Sequence, residues 1–402
     1  MKILLLGNGF DLYHKFPTRY DNFLHTVDFL QQYFDEEKMK TIGDTFGDDR
    51  LLNNDRFIPI CYEAYKDIYN TSKVDVEKIY AIIRISKDNV WFKYFLSAYN
   101  KELGWIDFER EIAKVICAFE EFFVDCDDVE NIEFPDDAVY KYIISKFSFF
   151  YENQPTRLFG SGLNIEKEHY LIKKDYRLEE PYGSSILVID VTKIIDKLYK
   201  ELLKVSELLK LYLDVFVNNL IQQMVDKQLI TKNSAFNHSQ HIITFNYTDT
   251  FEKMYDSNNV CHIHGSLNDQ IILGINPDSN DEPYQEHYPD TAFLKFKKYY
   301  QRVLNGSDMS YLNAIRQIKE HQKRYGTIYS YELYVAGHSL DVTDEDIIKE
   351  VFAMINKIVI ICHSTTAIAD SINNLIRIYG KHDFDELRAR TDLEFKLYSD
   401  FE

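Results

Sequence analysis

Residues 1–18 read MKILLLGNGFDLYHKFPT, and this stretch decides the fold class. Residues 2–6 are a short run without polar alternation, which predicts a strand buried on both faces. The run breaks at Gly7-Asn8-Gly9. A strand that ends in a glycine turn is how a nucleotide-binding α/β sheet begins. Glycines can take backbone angles closed to other residues, and without side chains they let a ligand approach the main chain. A helix after such a turn would aim its free N–H groups and its positive dipole end at an anion.

Outward from this turn, Pro17-Thr18 reads as a helix start, with Thr18 and Asp21 approximating a capping box. Phe23, Leu24, Val27 and Leu30 fall on one helical stripe. From residue 41 to 235 the text is charged, Tyr-rich and largely helical. Phe108, Ile112, Val115, Ile116, Phe119 and Phe123 recur at helical spacing, and Ile194 to Met224 predicts one long helix. Residues 152–190 carry Pro155, Gly160, Gly162, Pro181 and Gly183, and read as loops around a short strand, Ile186–Ile189. Strand text returns as HIITF (241–245), VCHIH (260–264), IILGI (271–275), YELYVAG (331–337) and KIVIICH (357–363). Helical text at Leu294–Leu304, Met309–His321 and Asp344–Met354 separates some of these strands. Strands alternating with helices imply parallel pairing. The expected fold is α/β: a Rossmann-like parallel sheet from residues 1–40 and 236–402, interrupted by a large helical insertion at 41–235.

Composition narrows the function classes. The 402 residues are 45% hydrophobic and 28% charged, as in a globular protein with ample core. Their net charge of -19 repels a phosphate backbone, so nucleic acid is not expected as a partner. The cysteines, Cys61, Cys117, Cys126, Cys261 and Cys362, are odd in number and form no CxxC pair. That spacing fits reduced thiols rather than a disulfide frame or zinc ribbon. No apolar run approaches the roughly 20 residues of a membrane helix, and the apolar start is too short for a signal peptide. A cytoplasmic chain with no membrane partner and no metal is expected.

In an open parallel sheet, ligands bind beyond the carboxyl ends of the strands. Those ends carry Gly7-Asn8-Gly9-Phe10-Asp11, Asn246-Tyr247-Thr248, His264-Gly265-Ser266 and Gly337-His338-Ser339. Small, amide, hydroxyl and imidazole groups thus recur where a ligand would sit. His264 suits a general base, because a free imidazole titrates near working pH. Its bland alternative is a strand-end histidine bonded to backbone. Asn246 can donate and accept through its amide, orienting a water or hydroxyl, or it can be an ordinary turn residue. His262, two residues before His264, is expected to pack or to orient it. Asp341, Asp344 and Asp346 read as the acidic start of a helix. Glu109, one turn from Trp105, has two readings, a carboxylate entering the pocket or a surface glutamate beside an aromatic stripe, and the second is expected.

GNGFDLYHKFPTRYDNFL, TFNYTDTFE, IHGSL and GHSL followed by DVTDEDI resemble the AbiH family of bacterial abortive-infection proteins. In the same order they resemble the nucleotide-binding core of sirtuins and sirtuin-like defence proteins. The resemblance implies a Rossmann-like fold and a role in phage defence, with a phage or host protein as trigger. The sirtuin-like relatives imply NAD as substrate or ligand, and self-association. On that likeness Gly7–Gly9 is the glycine loop, Asn246 and His264-Gly265 are catalytic, and Gly337-His338-Ser339 holds the adenosine half. Phe10, Asp11 and Ser266 flank these motifs as ligand-binding candidates. The sequence departs from the pattern at two points. A dinucleotide fingerprint has a third glycine where Leu12 stands. The missing zinc ribbon speaks against protein deacetylation, not against cleavage of NAD. Asp11 would repel a pyrophosphate nearby; it is suited instead to capping a helix or holding a ribose hydroxyl.

Overall fold

The computed structural model describes residues 1–101, 106–125, 143, 146–147, 149–152, 170–179, 187–229, 232–276, 293–326 and 331–401. Its centre is a six-stranded sheet in which every pairing is parallel. The strands are β1 (Lys2–Leu6), β2 (His241–Thr244), β3 (Val260–His262), β4 (Glu332–Ala336), β5 (Lys357–Cys362) and β6 (Asp392–Leu397). Their spatial order is β3-β2-β1-β4-β5-β6. This is the doubly wound Rossmann order, with the direction of winding reversing between β1 and β4.

Both faces of the sheet are covered, which explains the unbroken apolar runs. On one face Ile3, Leu5, Ile243, Val335 and Ile360 pack with Ile315 and Ile318 of the helix Asp308–Tyr325 and Val351 of the helix Glu345–Ala353. On the other, Leu4, Leu6, Ile242 and Ile361 pack with Phe10, Phe236, Phe251 and Tyr398.

The helices of the middle region form a separate aromatic core. Phe108 stacks between Tyr20 and Phe95, with ring centroids 4.1 Å away on each side. Trp91 is fully buried and donates its indole N–H to the Leu198 carbonyl at 2.9 Å. Each such buried aromatic stabilises by roughly 1.5–3 kcal/mol over leaving it exposed. The helix Tyr20–Tyr33 turns Phe23, Leu24 and Val27 into this core. Val191–Tyr212 continues through a π-helical turn, Leu213–Asn218, into Asn219–Asp226, so the expected long helix is present. Two small antiparallel pairs flank it: Phe150–Glu152 with Tyr170–Ile172, and Arg177–Glu179 with Leu187–Ile189.

The structure corrects three expectations. IILGI is no sheet strand; Ile275 makes one isolated bridge to Lys297, and Ile271, Leu273 and Ile275 fill the helical core. The helix after Pro17 begins at Tyr20, with Arg19 and Asn22 in the capping box. Thr18 instead donates its hydroxyl to Asn8 Oδ1 at 2.6 Å. Strand β6 was not anticipated, because DLEFKL alternates and lies at the sheet edge with most side chains half-buried. Trp105, Cys126, Pro155, Gly160, Gly162, Pro181, Gly183 and Ile186 lie outside the described residues.

Candidate functional site

The register brings the central strand ends level. Leu6 pairs with Thr244 on one side and Ala336 on the other, and Thr244 pairs with His262. The segments that follow therefore emerge side by side at the switch point. The Gly7 N–H donates to Ala336 O at 3.1 Å and the Gly9 N–H to Gly337 O at 2.7 Å. A Cβ at Gly7 would lie 2.6 Å from His338 Cα, and one at Gly9 2.7 Å from Gly337 Cα. Gly337 has φ +67° and no room for a side chain against Gly9 and Phe10. These glycines let two turns touch, and that contact consumes the Gly9 N–H expected to face an anion. The Phe10 N–H is likewise taken, by Gly7 O at 2.9 Å.

Beyond the turns lies a cavity of about 370 Å³. Of the sequence-predicted residues, Gly7, Asn8, Gly9, Asp11, Asn246, His264, Gly337, His338 and Ser339 line it. Three others are used by the fold instead and do not line it. Phe10 is buried under the sheet, 5.8 Å from the Phe236 ring. Gly265 has φ +78°, and a Cβ there would collide with the Gln270 carbonyl. Ser266 donates to Asp269 Oδ2 at 3.0 Å, closing its own turn.

Other wall residues are chemically prominent. Asp107, Glu109, Asp341 and Asp344 join Asp11, so five carboxylates line the cavity. Behind them the buried Lys298 ammonium lies 2.7 Å from Glu109 Oε1 and 2.9 Å from Asp344 Oδ1. Burial alone would lower the Lys298 pKa, but Asp344 and Glu109 outweigh it and hold the amine charged. Burial would raise Asp344, but Lys298 and His264 keep it well below the carboxylate range. Burial pushes Glu109 up, against the pull of Lys298.

Two imidazoles face Asp344. His264 Nε2 lies 3.2 Å from Oδ1, close but without the alignment of a hydrogen bond. Burial and then Lys298 push its pKa down to about 4, so the ring is neutral at pH 7. His338 Nε2 lies 3.5 Å from Oδ2. Its Nδ1 accepts the Leu340 N–H at 2.9 Å, which in a neutral ring puts the proton on Nε2. Leu340 holds φ 55°, a left-handed conformation costly for leucine, so this loop is fixed by its surroundings. Phe245 separates the rings, 5.2 Å from His264 and 4.2 Å from His338.

Both ring nitrogens of His262 are engaged elsewhere: Nδ1 lies 2.8 Å from the Asn246 carbonyl and Nε2 2.5 Å from Glu252 Oε1. Burial would lower its pKa, but Glu252 raises it. It therefore steadies the Asn246 backbone. Asn246 Oδ1, Asp11 Oδ1 and Glu109 Oε2 are buried with no hydrogen-bond partner among the described residues. Asp11 Oδ2 accepts the Thr248 hydroxyl at 2.6 Å, and burial pushes Asp11 up to about 6. Unsatisfied buried acceptors at one cavity mark a place for donors from a ligand or water. The acidic lining suits a hydroxyl-rich or cationic group and offers little to a pyrophosphate.

Strand order and strand-end cavity define a Rossmann-type α/β protein with a cavity at the switch point, where sheets of this order hold their ligands. The family model described as bacteriophage abortive infection AbiH matches residues 3–363, and the chain belongs to that family. Membership places it in bacteriophage abortive infection. No curated protein and no solved structure matches the chain. Among the described residues, no helix is long and apolar enough to cross a membrane.

Proposed function

We propose that the chain binds NAD at this cavity and hydrolyses its nicotinamide–ribose bond as its part in phage defence. The observation that supports this best is the meeting of Asn246 and His264 with the glycine turn at one cavity. The bond from ribose C1′ to the pyridinium nitrogen breaks, and its electron pair neutralises the ring. Water adds to the ribosyl cation and gives its proton to His264, which is neutral and able to accept it. With Nε2 turned to Asp344, Nδ1 is the nitrogen left for that proton. Asn246 Oδ1 holds the water or a ribose hydroxyl. The carboxylates of the wall favour both the cationic nicotinamide and the oxocarbenium-like transition state. The resemblance to sirtuin-like proteins assigns the adenosine half to the Gly337–Ser339 turn.

The test is release of free nicotinamide from NAD by the wild type, His264→Ala and Asn246→Ala. Release by the wild type and a loss of about 100-fold or more in each variant is expected. Equal turnover by all three would remove both residues from the mechanism. A second reading, a nucleotide sensor without turnover, is favoured by the burial of His264, which makes its ring a weaker base than a free imidazole. It predicts a thermal shift with NAD or ADP-ribose and no nicotinamide.

A further inference from the structure

The helix Asn8–Tyr13 begins at the acidic cavity and ends at another. This second cavity is about 700 Å³ and is lined by the end of that helix, by Tyr65 and by Lys232–Ser234. Its described lining contains no aspartate or glutamate, in a chain of net charge -19. Lys15 and Lys232 stand exposed at its rim, and no described carboxylate pairs with either. Tyr13, Tyr65, Met224 and Phe401 make an aromatic and apolar wall.

The lysine-bearing turn is held in place. Lys15 has φ 58°, a left-handed conformation that costs a lysine about 1–2 kcal/mol. The Lys15 N–H donates to Leu12 O at 2.9 Å and the Phe16 N–H to Asp11 O at 3.1 Å. Tyr65 donates its hydroxyl to His14 O at 2.6 Å. The Asp11, Leu12 and His14 carbonyls are thus already bonded, which tempers their repulsion of an anion. Burial pushes His14 down to about 4, so its ring adds a neutral polar edge.

We propose that this cavity is a second ligand site, for a phosphorylated nucleoside. Lys15 and Lys232 take the phosphates, and the base lies against Tyr13, Tyr65 and Phe401. The volume falls within the roughly 300–1,000 Å³ of small-molecule sites. Ammonium groups around a phosphate and rings beside a base are the complement of such a ligand. The proposal does not rest on NAD cleavage at the first cavity.

Isothermal titration with ATP in the absence of divalent metal tests it, on the wild type, Lys15→Ala, Lys232→Ala and His264→Ala. ATP is expected to bind the wild type and His264→Ala alike, and each lysine variant at least tenfold more weakly. Binding should also weaken with added salt. Lys232 is an exposed side chain away from the strained turn, so its variant reports on binding even if Lys15→Ala perturbs folding. Unchanged ATP binding in Lys232→Ala, loss of binding in His264→Ala, or no binding at millimolar ATP would each overturn the assignment.

Discussion

Lys298 Nζ lies 2.7 Å from Glu109 Oε1, and through this pair the helical body reaches the wall of the sheet's cavity. The same ammonium lies 2.9 Å from Asp344 Oδ1. Lys298→Met would leave two carboxylates buried without their cation. Removing one partner of a buried pair costs about 3–5 kcal/mol. Urea unfolding should show that loss, and Lys298→Met/Glu109→Gln should lose less than the sum of the single changes. A Lys298→Met midpoint equal to wild type would mean the ammonium is not holding these groups.

Gly337→Ala should be among the most damaging single-methyl changes in the chain. The residue has φ +67°, and its added Cβ would strike the backbone of Gly9 and Phe10. Gly380 is the control: its φ is +72°, yet a Cβ there meets nothing within 4 Å. Gly380→Ala should cost about 1–3 kcal/mol from backbone strain alone, its φ +72° and ψ 159° being a glycine conformation, and Gly337→Ala more, by the added collision. Thermal unfolding of the two variants decides this. Equal losses would refute the tight turn–turn contact.

The strand-end motifs were legible because each follows a short apolar run, and the parallel register then brings Gly7, Asn246, His264 and Gly337 together. Glu109 was weighed as a pocket residue but expected at the surface, whereas it lines the cavity and pairs with Lys298. Lys298 itself was not legible, for a physical reason. The helix Lys298–Asn305 is inverted: Lys298, Gln301 and Arg302 are buried, while Tyr299, Val303 and Leu304 are exposed. Apolar periodicity assigns such a helix the wrong inward face. Gln301 donates to the Leu273 and Lys295 carbonyls, and Arg302 pairs with Asp346, so the buried polar face is satisfied by tertiary partners. Asp344 was read as a helix start, which its place before Glu345–Ala353 supports, but its carboxylate serves the cavity as well. A lysine triplet, Lys295, Lys297 and Lys298, carries no sign of which member is buried.

The histidines His264 and His14 should lose their contribution to stability on mild acidification. His264 and His14 have pKa values near 4 in the folded chain and near 6.5 unfolded. Between those values the unfolded chain binds the proton, so their contribution is whole above 6.5 and lost as pH falls toward 4. Asp11 acts the other way: its pKa of about 6 exceeds the unfolded 3.8, so acidification through that window favours the fold. Each group contributes up to about 1.4 kcal/mol per pH unit. Comparing unfolding at pH 7.5 and 5.0, His264→Gln should lose less stability than wild type and Asp11→Asn should lose more. Shifts of the same sign in both variants would contradict the burial assigned to them.

Asn246→Ala should separate function from folding. Its backbone carries the structural bonds: the N–H donates to Thr244 Oγ1 at 3.1 Å, and the carbonyl lies 2.8 Å from His262 Nδ1. Alanine keeps both. The side-chain oxygen that is lost has no hydrogen-bond partner among the described residues, so its removal relieves a buried unsatisfied acceptor. The melting temperature should therefore stay close to wild type or rise slightly. Ligand-dependent behaviour should change instead: nicotinamide release from NAD, or the thermal shift on adding NAD, should drop by about 100-fold or vanish. A variant that unfolds several degrees lower while handling NAD normally would make Asn246 a turn residue and nothing more. A stable variant that has lost its response to NAD would place the side-chain amide at the ligand.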